Sequence, residues 1–233
     1  MQLAPDNAAP VDLGQLYRFV DRLRKETIGK PRWIAEKHVF EYQENSVEVV
    51  AVLKLCRAAH GVSAMSLLCE AGLFIDMGAI ARCVSDCADE IYFLLENYPH
   101  ASPNVDKFVK AFFEHTIDKD LLAEGTSPVP TKKIRSAVVS IVKGHHDQVL
   151  HDLTEKIYRA FSGYIHANYA HIMEVYNGAT DEFNLRGVPS TSQRKMKRAQ
   201  VKIATDTALN AAAFVARTLG RDSLFREIVE SWH

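Results

Sequence analysis

The sequence has little that could hold it together from outside a core. Only four cysteines occur, Cys56, Cys69, Cys83 and Cys87, with no CxxC pair, which excludes a disulfide framework and the usual structural zinc sites. Cys83 and Cys87 would share a helix face, but no His stands nearby to complete a metal site, so they read as small residues of a packed helix. A charge of one sign is also missing: 28 Lys and Arg face 29 Asp and Glu, for a net charge of -1. No global field draws the chain to nucleic acid or anionic lipid, and any such contact must be local. Long apolar runs are absent, because Val62 to Leu95 is interrupted by Glu70, Asp76, Arg82, Asp86 and Asp89. The start, MQLAPDNAAPVDLG, has neither the basic opening nor the apolar stretch of a signal peptide. A cytoplasmic protein without membrane contact is therefore expected. Walker, GxGxxG, GxSxG and HExxH motifs are missing, and with them the nucleotide, hydrolase and metalloprotease chemistries they serve.

What is there is helical periodicity. Gly and Pro clusters at 29–31, 98–103, 125–130 and 178–189 separate segments whose apolar residues recur at steps of three and four. A covering helix is expected at about 11–27, where Leu13, Leu16, Tyr17, Val20 and Leu23 form one stripe. Glu44 to His60 follows, with Gly61 either breaking or kinking it. Val62 to Asn97 is apolar on nearly every side and predicts a central helix. Shorter helices are expected over Asn104 to Ile117 and Thr131 to Val142. Leu150 to Tyr176, dense in aromatics, predicts the second central helix. A third long helix runs from an N-cap at Ser190 to Gly220, and Asp222 to Trp232 closes the chain. The sum is an all-α antiparallel bundle with two long central helices and short covering helices, in a single domain over 1–233 with its core at about 45–220.

Residues able to do chemistry are few. A carboxylate three residues before a His, the ligand spacing of two-metal helical enzymes, occurs only at Glu230 and His233. His145, His146, Asp147 and His151 have metal-binding side chains but stand at a helix break and read as a solvated turn, so neither metal nor other cofactor is expected. On the first central helix Arg82, Asp86 and Asp89 share one stripe, flanked by Glu90. Charges among apolar residues need partners, and this stripe is either an ion-pair ladder or part of a site. On the second, Arg159, Ser162, His166 and Tyr169 form a polar line, since seven steps return to nearly the same face. Arg supplies a fixed charge for phosphate, and His exchanges a proton near neutral pH. Arg194, Arg198 and Lys202, at steps of four on the third long helix, would suit a phosphate backbone, though a solvated helix face explains the same residues more simply.

The Arg159, six residues, His166 arrangement resembles the HEPN superfamily of helical bundles, whose catalytic members cleave RNA without metal and pair two such motifs in a dimer. Where that family often has a polar residue after the Arg, this chain has Ala160. Arg82, Asp86, Asp89 and Glu90, followed by Tyr158, Ser162, Tyr164, His166 and Asn168, also resemble an uncharacterised, mostly bacterial family of helical proteins over roughly residues 45 to 180. The first resemblance implies a metal-independent endoribonuclease acting as a homodimer. His166 would be the acid or base, Arg159 would hold the phosphate charge, and a carboxylate from Asp86, Asp89 or Glu90 would orient the imidazole. The competing reading is a non-catalytic module that binds a protein partner or a second copy, in which the same polar groups form a buried network that specifies packing.

Overall fold

A computed structural model describes residues 12–114, 129–143 and 148–231, and the described residues form an all-α bundle. In chain order it comprises α1 (Gly14–Thr27), β1 (Arg32–Ile34), β2 (Val39–Glu41), α2 (Val47–Ala71), α3 (Phe74–Leu95), α4 (Pro103–Glu114), α5 (Thr131–Lys143) and α6 (Gln148–Ile165). It continues with α7 (Tyr169–Met173), β3 (Tyr176–Asn177), β4 (Glu182–Phe183), α8 (Thr191–Thr218) and α9 (Asp222–Glu230). The strands form two antiparallel hairpins, β1 with β2 and β3 with β4, and no larger sheet is present among the described residues.

The centre is three helices, α2, α3 and α8, each packed on the other two. Helix α2 begins at Ser46, whose hydroxyl accepts from the Val49 N–H at 3.4 Å, and buries residues around much of its circumference, from Val50 through Leu55 and Val62 to Met65. It is the one described helix long and apolar enough to cross a bilayer, and more than half of its most apolar stretch is buried inside the fold. Gly61 does not break it, for the helix runs on to Ala71. A Cβ there would come within 2.7 Å of Val84 Cγ2, so the missing side chain is what lets α2 and α3 lie close.

The break comes at Gly72, in the left-handed region at φ 75°. Its N–H donates to the Cys69 carbonyl at 3.1 Å and the Leu73 N–H to the Leu68 carbonyl at 2.9 Å, a Schellman closure. The expected helix over Val62 to Asn97 is thus the end of one helix and the whole of the next. Gly72 also receives a distant segment: its carbonyl accepts from the Val188 N–H at 2.9 Å, and a Cβ on Gly72 would collide with the Val188 backbone. This latch seats the start of α8, whose Ser190 cap accepts from the Gln193 N–H at 3.3 Å as the sequence predicts. The inward face of α8 is mostly alanine, Ala204, Ala208, Ala211, Ala212 and Ala216, and so comes close to α2 and α3.

The stretch from Leu150 to Tyr176 is not a second central helix. It divides at Ala167 (φ 49°), where the Ala167 N–H donates to Tyr164 and the Asn168 N–H to Gly163, and α6 packs with α5 against the outer side of α3. Its aromatic density reflects contacts with charged partners, described next. Helix α1 covers α2 and α8 as expected, burying Leu16, Phe19, Val20 and Leu23, while Tyr17 stays exposed and shares a 2.7 Å hydrogen bond with the Ser63 hydroxyl.

Candidate functional site

The polar stripe of α3 meets α5 and α6 in a stack. Arg82 is buried, 5% exposed, and holds Asp86 one turn on with an Nη2 to Oδ1 distance of 2.7 Å. Its guanidinium carbon lies 3.3 Å from the centroid of the Tyr158 ring of α6. Arg135, from α5 and equally buried, places its own guanidinium carbon 3.8 Å from the same centroid. One face has no room for both cations at those distances, so the ring is sandwiched between them. Arg135 also pairs with Glu155 through Nη2 at 3.0 Å, and Glu155 reaches Arg159 Nε at 3.6 Å. The Nε and Nη1 of Arg135 are buried with no hydrogen-bond partner. The sequence reading missed Arg135, because a cation beside Lys132 and Lys133 looks like the wet side of a helix.

The carboxylates facing this stack are held against ionisation. Burial raises Asp89 to about 7, and the nearby Asp86 adds to the effect against the pull of Arg82 and Arg135. Burial likewise raises Asp86 to about 6, opposed by Arg82. Glu90 turns elsewhere and pairs with Lys54 of α2 at 2.6 Å. None of the three has a hydrogen bond to His166 in the structure. The thiol of Cys87, on the same helix, is pushed up to about 12 by burial and is no nucleophile at neutral pH.

Arg159 and His166 lie outside the stack. The Arg159 side chain is 81% exposed, and His166 is exposed in the turn that ends α6. The His166 N–H still donates to the Ser162 carbonyl at 3.0 Å, so the helical path reaches it and keeps it on the side of Arg159, roughly 10 Å further along the axis. Ser162 thus contributes its carbonyl. The carbonyl of Asn168 accepts from the His171 and Ile172 N–H groups and starts α7.

A second polar group, also missed, ties α6 and α7 to α8. Tyr164 donates to Glu174 Oε1 at 2.7 Å, and Lys197 Nζ reaches Glu174 Oε2 at 2.6 Å and the Tyr164 oxygen at 3.3 Å. The Tyr164 ring occupies the space that a Cβ at Gly78 would need and meets His171 edge-on with centroids 4.0 Å apart. Burial raises the Tyr164 hydroxyl, with Glu174 adding to it; burial would lower Lys197, but its bonds to Glu174 and Tyr164 outweigh that and raise it. The remaining cations of α8 are mostly engaged. Arg198 forms a two-pronged pair with Glu70 at 2.8 Å on each arm, Lys202 pairs with Asp206 at 3.1 Å, and Arg194 donates to the Pro189 carbonyl at 2.8 Å.

No group of three or more metal-binding side chains gathers among the described residues, and His145, His146 and Asp147 lie outside them. Comparison of the chain with family models, with curated proteins and with solved structures yields no match.

Proposed function

We propose that this protein is a metal-independent endoribonuclease of the cytoplasm that works as a homodimer, with Arg159 and His166 at the reacting phosphate. The observation that carries the reading is the joint exposure of these two residues on one side of α6, since a general base must be open to its substrate. His166 takes the proton of a ribose 2′-hydroxyl as its oxygen attacks the adjacent phosphorus. The 5′-oxygen leaves with a proton, giving a cyclic phosphate and a 5′-hydroxyl, and Arg159 balances the charge that gathers on the phosphate oxygens. In a dimer the same motif of the second copy supplies the second acid–base group. Exposed apolar residues beside the motif, Ile165, Tyr169 and Ile172, support such pairing. The stack of Arg82, Tyr158 and Arg135 then holds α6 in place from behind, and Arg194, the cation of its cluster that pairs with a carbonyl rather than a carboxylate, is the first choice for a remote RNA contact.

The competing reading, a non-catalytic interaction module, is favoured by the same stack: both guanidinium groups are buried, each against the Tyr158 ring and each paired with a carboxylate, as a packing determinant would be. Purified protein incubated with mixed RNA and a chelator separates the two. Cleavage is expected to persist in chelator and to vanish in His166→Ala and Arg159→Ala, with melting temperatures within a degree or two of the parent, because exposed side chains contribute little to packing. No cleavage by the parent protein at dimer-forming concentrations would leave the module reading.

A further inference from the structure

We propose that Lys132 of α5 is a second phosphate contact of the same site, beside the scissile phosphate, so that the substrate is an internal linkage of an RNA strand and not an isolated dinucleotide; this rests on the nuclease reading above. Four residues separate α5 from α6, and so short a connection makes the two helices antiparallel. Their register is given by the pair of Arg135, eight residues before the end of α5, with Glu155, seven residues after the start of α6. One turn back along α5 is then level with one turn on along α6, which puts Lys132 beside Arg159. Direction agrees with level. At about 100° per residue, Lys132 lies about 60° around α5 from Arg135, which faces the Tyr158 ring of α6, and on the side away from the buried Ile134 and Ala137. On α6, Arg159 lies about 40° from Glu155, which faces Arg135, and away from the half-buried Thr154 and Phe161. Both side chains therefore border one outer groove between helix axes roughly 8 to 10 Å apart.

Charge decides what the groove takes. Helix α5 has no carboxylate, and α6 has none from Lys156 to His166. The nearest acid on either helix, Glu155, is paired with the buried Arg135 at 3.0 Å and turns its other oxygen to Arg159 at 3.6 Å. Asp86 is held by Arg82 on the α3 side of the stack. Lys132, Lys156 and Arg159 are all exposed, and neither lysine forms an ion pair among the described residues. A chain with a net charge of -1 thus has a local positive face here, with its one carboxylate already committed to a buried cation. A lone phosphate would need Arg159 only. Cations side by side on neighbouring helices fit phosphates carried in a row.

The test compares a dinucleoside monophosphate, whose only phosphate is the scissile one, with a hexanucleotide. Lys132→Ala in the full chain is expected to raise KM for the hexanucleotide about tenfold with kcat kept, and to leave the dinucleotide as it was. Lys132→Arg should restore most of the loss. Lys133→Ala removes the same charge from the outer side of α5 and should keep KM within about twofold of the parent. Equal losses on both substrates would make Lys132 a support of the fold, and equal effects of Lys132→Ala and Lys133→Ala would make net charge the cause; either result overturns the proposal. Anisotropy of a labelled 2′-O-methylated hexanucleotide, which cannot be cleaved, is read beside these assays. There Lys132→Ala should weaken binding and lower the logarithmic salt dependence by about 0.7, the share of one phosphate contact on a single strand. Lys132-dependent binding without cleavage of ordinary RNA would strike the catalytic reading and keep the contact. Cleavage and binding both indifferent to Lys132 would strike the contact and keep the catalytic reading.

Discussion

Helix α3 is gripped on its two sides by different physics. Toward α2 and α8 it presents Met77, Val84, Ile91 and Leu95, fully or almost fully buried against other hydrocarbon. Toward α5 and α6 it presents Arg82, Asp86 and Asp89, and the contact is a ring between two guanidinium groups with carboxylates around it. The first side depends on volume and is indifferent to pH and salt. The second depends on the presence of one ring and on the charge of a few groups, so the outer layer can loosen while the three-helix centre stays intact. In this chain the layer that can loosen is also the one that carries Arg159 and His166.

The largest effect should come from the apolar side. Ile91→Ala leaves a hole between α3 and its neighbours and should destabilise the whole protein by about 2 to 5 kcal/mol, read as one cooperative shift in denaturant unfolding. A change confined to α5 and α6 would break the distinction. Next comes Tyr158→Ala, which removes the sandwiched ring and leaves two buried guanidinium groups facing each other. Hydrogen exchange in α5 and α6 should accelerate at least tenfold while α2 and α8 keep their protection, and Tyr158→Phe, which retains the ring, should restore most of it.

The smallest effect is a dependence on pH. Because the folded state raises Asp89 to about 7 and Asp86 to about 6, it binds protons more tightly than the unfolded chain. The stability from these groups is fully present below about pH 4 and declines as pH rises through 6 and 7. Asp89→Asn removes the larger part of that decline. Denaturant curves should show the variant about 1 to 2 kcal/mol more stable than the parent at pH 8 and nearly equal to it at pH 4. A parent protein whose stability rises from pH 5 to 8 would mean that the Arg side chains, not burial, govern this face.

The apolar side was largely legible in the sequence, the charged side only in its α3 half, the stripe of Arg82, Asp86 and Asp89. Helical period, the Ser190 cap and the closure at Gly220 (φ 69°) all appear where spacing and residue type put them. Gly61 and Gly72 could not be told apart by type: one is a glycine for close packing against Val84, the other for a left-handed turn, and only the neighbour decides. Leu150 to Tyr176 misled for a related reason. Dense aromatics suggest a central helix, yet Tyr158 is clasped by cations and Tyr164 is bonded to Glu174 and Lys197, uses that hydropathy does not register. Arg82 stood out because its own helix is apolar, while Arg135 was hidden among exposed lysines. The placement of Ala167 in a left-handed turn gave no signal at all, since alanine is among the best helix formers.

The latch between Gly72 and Val188 divides the surface into places where the chain can be lengthened and places where it cannot. Residues 178–181, at the tip of the β3–β4 hairpin, are exposed, so a peptide tag or a small reporter domain spliced there should leave the bundle as it is. One extra residue after Gly72 would shift the carbonyl that Val188 needs and bring a side chain into a space with no room for a single carbon. The two connections look alike as glycine-bearing turns, yet only one of them is a usable point of insertion.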